Sequence, residues 1–232
     1  ANVTTYSPAE MNDRLAKWYR WLGVSNPAFD GLHSTFEGAQ YSEIGIFRPT
    51  NNSKMRALGR PFNLVNAEGL IKEIYRTVDP IDDAAPTPGT TITAHTTLGV
   101  TPVQPDGHSL DIQWFRNGAP IPGETGPTLD TCAAGITGTA VISVTATDNT
   151  DMLRDEAFRQ QFMRQPVSWA ASIPANTADM NGNGALDPGD FTAWVAAYNA
   201  GDPDADQNGN GLLDPGDFTA WVANYNAGPG CD

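Results

Sequence analysis

Two stretches near the C-terminal end carry the sharpest hydrophobic pattern in the chain. Phe191, Trp194, Val195 and Tyr198 fall at i, i+3, i+4 and i+7, and Phe218, Trp221, Val222 and Tyr225 repeat that spacing. The period places four apolar side chains on one face of a helix of about ten residues, too short to be stable alone. Two such faces can bury each other about a pseudo-twofold axis. Nearer the start, Met11, Leu15, Trp18 and Leu22 share a helical face, Ser7-Pro8-Ala9-Glu10 reads as a capping box with proline at the first helical position, and Gly23 can close the helix. A helix is therefore predicted over 7–22. A second helix is expected from about Asn66, with Leu70, Ile71, Ile74 and Tyr75 on one side. In the middle of the chain the pattern changes to short β-branched runs broken by Gly, Pro, Asn and Asp. Residues 89–97, 109–118, 127–131, 139–148 and 166–172 read as strands, and strands at this spacing predict a sandwich. Residues 152–163, with Leu153, Phe158 and Phe162, are expected as a helical or irregular excursion before the strand around Trp169.

The two C-terminal helical patterns belong to a duplication. Residues 179–200 and 206–227 are related by a shift of 27 and are identical at 19 of 22 positions. Each unit opens with a twelve-residue loop whose oxygen-bearing residues stand at positions 1, 3, 5, 9 and 12, with glycine at 6. In the first loop these are Asp179, Asn181, Asn183, Asp187 and Asp190 with Gly184; in the second, Asp206, Asn208, Asn210, Asp214 and Asp217 with Gly211. That is the EF-hand schedule, in which position 7 supplies a backbone carbonyl, here of Ala185 and of Leu212. Ligands that are all oxygen select a hard cation, and a flexible multidentate loop favours Ca²⁺ over octahedral Mg²⁺. Two calcium ions are expected, and zinc is excluded from these loops by ligand type. Position 12 is Asp in place of the usual longer Glu. Asp187 precedes Pro188, which suits the first helical position, so Asp187 and Asp190 can serve the metal and the helix N-terminus together.

Charge sharpens this reading. The chain has 232 residues, with 13 Lys+Arg against 27 Asp+Glu and a formal charge of −14. Such a surface does not suit a phosphate backbone, which is neutralised by Lys and Arg, so nucleic acid is not an expected partner. From Gln165 onward there is no Lys or Arg and there are nine aspartates, six of them assigned as calcium ligands. Three carboxylates converging in a loop repel one another without a cation, so binding and folding of this segment are expected to be coupled. No apolar run approaches the roughly 20 residues that span a bilayer. The two cysteines, Cys132 and Cys231, stand too far apart to read a disulfide framework from spacing.

Catalytic patterns are wanting. The zinc motif HExxH needs His followed by Glu, but His33 precedes Ser34, His95 precedes Thr96 and His108 precedes Ser109. His95 and His108 have no companion ligand nearby in sequence and are expected to be solvated or packed. Glu37 and Glu43 can be raised as a carboxylate pair, although glutamates in such settings are mostly solvated. There is no G-x-S-x-G elbow and no phosphate loop.

Resemblances fill in the organisation. Residues 174–232, with the DFTAWxAxYN helix and the closing Gly230-Cys231, resemble a dockerin of the Gly-Cys-terminated form. This implies two calcium sites and surface or complex attachment involving Cys231. Dockerins of cellulosomes use hydroxyl residues at loop positions 10 and 11 to meet cohesins, where this chain has Pro188-Gly189 and Pro215-Gly216. A cohesin-like or cell-envelope partner is implied. Residues 111–118, DIQWFRNG, followed by APIPG, look like the central strand and turn of an immunoglobulin-like domain with Trp114 inward and without the usual cysteine pair. Residues 1–79, through WYRWL, Phe36-Glu-Gly-Ala-Gln-Tyr41, Gly45-Ile-Phe-Arg-Pro49, Asn52-Ser-Lys-Met-Arg56 and Pro61-Phe62, resemble the closing part of IgA-peptidase-like zinc metallopeptidases. These are secreted, metzincin-related enzymes whose zinc helix lies upstream. The resemblance makes Met55 the methionine-turn residue, with Ser53 where the family often has cysteine.

The expected fold class is multidomain. The α+β C-terminal portion of a metzincin-like catalytic domain occupies 1–79, a linker 80–89, an all-β Ig-like sandwich 90–172, and a small all-α dockerin with paired calcium loop-helix motifs 174–232. The chain opens at Ala1 without a basic and then apolar leader, and is expected to be a piece of a longer bacterial protein, secreted or attached to the cell surface. The parent would be a metalloendopeptidase acting on a protein substrate, with Zn²⁺ held only by residues upstream, and this chain would be inactive alone. The alternative is a non-catalytic, calcium-dependent surface adhesion or anchoring protein.

Overall fold

The computed structural model describes residues 2–228. Among them are five α-helices and four β-sheets, none closed into a barrel, so the chain is mixed α/β. It divides into two compact units that do not follow chain order: residues 1–80 with 103–110 and 147–165, and residues 81–102 with 111–146 and 166–232.

In the first unit, α1 spans Pro8–Asp13 and carries the capping box, with the Glu10 N–H on Ser7 Oγ at 3.3 Å and the Ser7 N–H on Glu10 Oε2 at 2.8 Å. The expectation of one helix over 7–22 is corrected: α1 stops at Asp13, Leu15 and Lys17 take φ of 47° and 59°, and a 3₁₀ turn follows at Tyr19–Trp21. The reason lies in the tryptophans. On a continuous helix Trp21 would point about 80° away from Met11, yet Met11, Trp18 and Trp21 are all buried in one cluster with Leu64. Breaking the helix lets both indoles enter, each with its N–H satisfied, Trp18 on the Ser34 carbonyl at 2.9 Å and Trp21 on Glu68 Oε2 at 2.6 Å. Leu15 is left 68% exposed.

Strands β1 (Ser25–Asn26) and β2 (Gly31–Leu32) pair antiparallel, as do β3 (Phe36–Ala39) and β4 (Ser42–Arg48). Helix α2 runs Leu64–Tyr75, capped by Asn63, whose Oδ1 accepts the Asn66 N–H at 2.9 Å. Its first residue is held by a second acceptor. His33, fully buried, takes the Leu64 N–H on Nε2 at 2.9 Å and sets Nδ1 3.2 Å from the Val24 carbonyl oxygen. The short helix α3, Glu156–Phe162, falls in the stretch expected as an excursion. Leu153, Phe158 and Met163 pack with Tyr75 and Ile71 of α2, and Lys72 Nζ meets Asp155 Oδ2 at 2.7 Å. These contacts draw residues 147–165 to the N-terminal unit, although composition alone places them in the middle segment.

In the second unit, β5 (Ile81–Ala85) lies where a linker is expected. The structure shows it paired antiparallel with β7 (Thr97–Pro102) after the two-residue strand β6 (Thr91–Ile92). Strands β8 (Asp111–Arg116), β9 (Ala119–Pro120), β10 (Thr128–Asp130), β11 (Gly138–Thr147) and β12 (Arg164–Ile173) complete two sheets, ordered β10-β7-β5 and β6-β12-β11-β8-β9. Trp114 is fully buried, stacks on Trp169 at 5.8 Å and donates its indole N–H to the Gly126 carbonyl at 2.9 Å. Cys132, in the turn after β10, is disulfide-bonded. Gly230 and Cys231 lie outside the described residues.

Helices α4 (Pro188–Ala200) and α5 (Pro215–Asn226) start where the duplicated loops end. Trp194 and Trp221 are buried together, 6.2 Å apart, while Phe191 and Phe218 cross over to the opposite tryptophan at 5.3 and 5.5 Å. The indole N–H groups are exchanged as well. Trp194 donates to the Ala205 carbonyl and Trp221 to the Ala178 carbonyl, each at 3.2 Å.

Candidate metal centre

The two loops are shaped by Asx turns, in which a short carboxylate or amide accepts a backbone N–H two residues on. In the first, Asn181 Oδ1 accepts from Asn183 at 2.9 Å, Asn183 Oδ1 from Ala185 at 2.7 Å and Asp187 Oδ1 from Gly189 at 2.6 Å. In the second, Asn208 takes Asn210 at 3.0 Å, Asn210 takes Leu212 at 2.7 Å and Asp214 takes Gly216 at 2.6 Å. Position 1 reaches further: Asp179 Oδ2 accepts the Gly184 N–H at 2.9 Å, and Asp206 Oδ2 that of Gly211 at 2.7 Å. Gly184 and Gly211 make this possible with φ of 81° and 82°. Sequence order has thus become nearly identical geometry in both repeats.

Position 12 closes each loop onto the following helix. Asp190 accepts the Asn181 N–H at 3.2 Å and the Asp187 N–H at 2.8 Å, and Asp217 accepts from Asn208 at 3.3 Å and Asp214 at 2.8 Å. Both carboxylates are 0% exposed. The Asp214 N–H, working against burial and aided by the Asn208 N–H, holds the Asp217 carboxyl below the usual carboxylate value. Backbone dipoles at a helix start favour a negative charge but do not neutralise it. A buried carboxylate is costly unless paired, and no Lys or Arg occurs in the sequence from residue 165 onward.

Among the described residues, no three His, Cys, Asp or Glu side chains come together as a metal-ligating group. An ion in either loop would therefore depend on the asparagine oxygens and a backbone carbonyl as much as on the aspartates. The donor chemistry fits a calcium ion: oxygen throughout, two aspartates that have no basic partner, and glycine where the turn requires it.

Positions 10 and 11, Pro188-Gly189 and Pro215-Gly216, have a structural explanation. A Cβ added at Gly189 would lie 2.7 Å from Asp187 Oδ1 and 3.1 Å from Asn181 Nδ2, and at Gly216 the same distances recur with Asp214 and Asn208. Any side chain there would push against the position 9 carboxylate.

Met55 occupies a turn, with Arg56 and Ala57 N–H groups on the Ser53 carbonyl at 2.8 and 3.0 Å, and its side chain is 60% exposed. It lines a cleft of about 850 Å³ together with Glu37, Glu43, Arg48, Ser53 and Asn63. Glu37 accepts the Gly45 N–H at 2.8 Å, while the Arg48 guanidinium is spent on carbonyls of Phe36, Glu37, Gly38 and Asn51. His33 is committed on both ring nitrogens to backbone groups and has no lone pair for a metal.

One constellation has no signature in the sequence. His108 Nε2 lies 2.8 Å from Asp148 Oδ1, which also accepts the Thr150 N–H at 2.8 Å, and Tyr75 donates its hydroxyl to Asp148 Oδ2 at 2.6 Å. Burial, and then the bond to Asp148, push the Tyr75 phenol upward. The three residues are far apart along the chain and come together from α2, residues 103–110 and residues 147–165 of the first unit. No helix among the described residues is long and apolar enough to cross a membrane. Compared with known protein families, curated proteins and solved structures, the chain gives no match.

Proposed function

We propose that residues 174–232 are a calcium-dependent attachment module of the dockerin type, joined through an Ig-like sandwich to the C-terminal part of an IgA-peptidase-like metallopeptidase. The observation that carries the calcium reading is the pair of fully buried aspartates, Asp190 and Asp217, at the ends of two matching loops in a segment without a basic side chain. Asp179, Asn181, Asn183, Asp187 and Asp190, with the Ala185 carbonyl, would hold one ion. Asp206, Asn208, Asn210, Asp214 and Asp217, with the Leu212 carbonyl, would hold the other. The ions supply countercharge, so that the loops fold as they bind.

Calorimetric titration of the EDTA-treated chain with Ca²⁺ tests this directly. Two ions per chain are expected, with a rise in the melting temperature of residues 174–232. No binding, or a melt indifferent to EDTA, would refute it.

The peptidase reading rests on the motifs in residues 1–79, with Met55 beneath the metal of a zinc helix lying upstream; a secreted or surface location follows from the same resemblance. Its test is an in-frame HExxH in the coding sequence before Ala1. A second reading, a non-catalytic anchoring or adhesion protein, is favoured by His33, both of whose ring nitrogens serve backbone groups and are closed to a metal. Absence of that motif upstream would decide for it.

A further inference from the structure

A cavity of about 360 Å³ opens in the first unit between α2 and residues 103–108 and 148–152. Its apolar lining is Ile71, Ile74, Val78, Val103, Pro105 and Met152, and its polar lining includes Asp106 and the hydrogen-bonded group of Tyr75, His108 and Asp148. This size suits a small organic molecule, and an apolar wall with a few convergent polar groups is the usual make-up of a ligand site.

The chemistry of the polar lining is specific. Asp148 is nearly fully buried, and each of its oxygens is occupied: Oδ1 by the Thr150 N–H and by His108, Oδ2 by the Tyr75 hydroxyl. A carboxylate only accepts, so the neutral His108 ring carries its proton on Nε2 and presents Nδ1 as a lone pair. The ring makes no other hydrogen bond among the described residues. The acidic residues of the lining are Asp106 and Asp148, and no Lys or Arg lines the cavity. The guanidinium of Arg159 is turned to the carbonyls of Asp148, Thr150 and Leu153 and to Glu156.

We propose that this cavity binds a small amphiphile with an apolar body and a protonated amine, the body lying against Ile74, Val103 and Met152 and the ammonium donating to His108 Nδ1 beside Asp148 and Asp106. An ammonium matches each element: three donors for a lone pair, and a positive charge for two carboxylates. A carboxylate in its place would face like charges and a lone pair.

The test uses the full chain and three probes of one shape, 2-phenylethylamine, 2-phenylethanol and phenylacetate, followed by ligand-observed NMR and by the ring ¹⁵N shifts of His108. The amine is expected to bind and to move the His108 Nδ1 resonance, the alcohol to bind about tenfold more weakly, and phenylacetate not to compete. His108→Ala should lower amine affinity about tenfold. Ile74→Trp, at a side chain already more than half exposed and so without cost to the fold, should close the mouth of the cavity and abolish binding. Equal binding of phenylacetate and the amine, amine binding unchanged in Ile74→Trp, or no binding of the amine at about 10 mM would overturn the proposal.

Discussion

Acidification from pH 7.5 to 5.5 should loosen the start of α2, through His33. The ring is fully buried, its Nδ1 faces the Val24 carbonyl, and its Nε2 accepts the N–H of Leu64, the first residue of the helix. These partners fix the neutral form with the proton on Nδ1. Burial pushes the imidazole down; the carbonyls of Val24 and Gly31 and the charge of Asp30 pull it up, and Arg154 pushes it down again. The net direction is down, so on acidification the unfolded chain takes up its proton first. The contribution to stability is therefore complete above the ordinary histidine value of about 6.5 and is lost as the pH falls from there toward the depressed folded value. One proton changes stability by at most about 1.4 kcal/mol per pH unit, so between pH 7.5 and 5.5 the loss can reach about 1.4 kcal/mol, a tenfold rise in opening. Hydrogen exchange of peptides covering α2, corrected for intrinsic rates, reads this opening. His33→Gln keeps a side-chain oxygen for the Leu64 N–H and cannot titrate, so its pH response should be flat over the same range. An identical response in wild type and His33→Gln would refute the assignment.

Other consequences are open to similar measurement. Burial works to raise Asp155, but the hydrogen bond from Lys72 and the charges of Lys72 and Arg20 outweigh it, and its carboxyl lies below the usual value. Its stabilisation is thus present above about pH 4 and lost below it, and Asp155→Asn should cost about 1–2 kcal/mol at neutral pH in urea unfolding. If the loops hold calcium as proposed, Gly189→Ala should weaken the first by displacing Asp187 and leave the second intact, so calorimetry should show one strong site where two are expected of the wild type. Trp194→Phe and Trp221→Phe each remove one indole N–H bond while keeping an aromatic ring, and each should cost about 1 kcal/mol in thermal unfolding of the C-terminal segment. A loss confined to one of the pair would contradict the symmetry of the arrangement.

The parts of the fold that can be read along the chain are those set by neighbours in sequence. Asp187 with Pro188 and Asp190, and Asp214 with Pro215 and Asp217, form helix starts where their spacing predicts, because a capping box is completed within four residues. The N-terminal capping box is equally local, and α1 begins as expected. Its length is not local. Leu15 continues the apolar period but is exposed, because burying Trp18 and Trp21 together outweighs one more turn of helix. Ile81–Ala85 has the proline-rich flanks of a linker and becomes a strand through pairing with Gly99–Pro102, which composition does not reveal. The two matching Asx-turn loops were legible for the first reason. The His108, Asp148 and Tyr75 cluster was not, since Tyr75 and Asp148 meet across 73 positions.

The exchanged indole bonds of the C-terminal segment have a further consequence. Ala178 immediately precedes the first loop and Ala205 the second, yet Ala178 is held by the tryptophan of the second helix and Ala205 by that of the first. Each half therefore lacks, on its own, the hook that steadies the entrance to its loop. A chain cut in the connection after Gly201 should yield two inert peptides that regain order only when mixed, and a half expressed alone should seek a second copy of itself. In this arrangement duplication is more than a doubling of sites: the two copies are mutual templates, and a displacement at the mouth of one loop is felt first by the helix of the other.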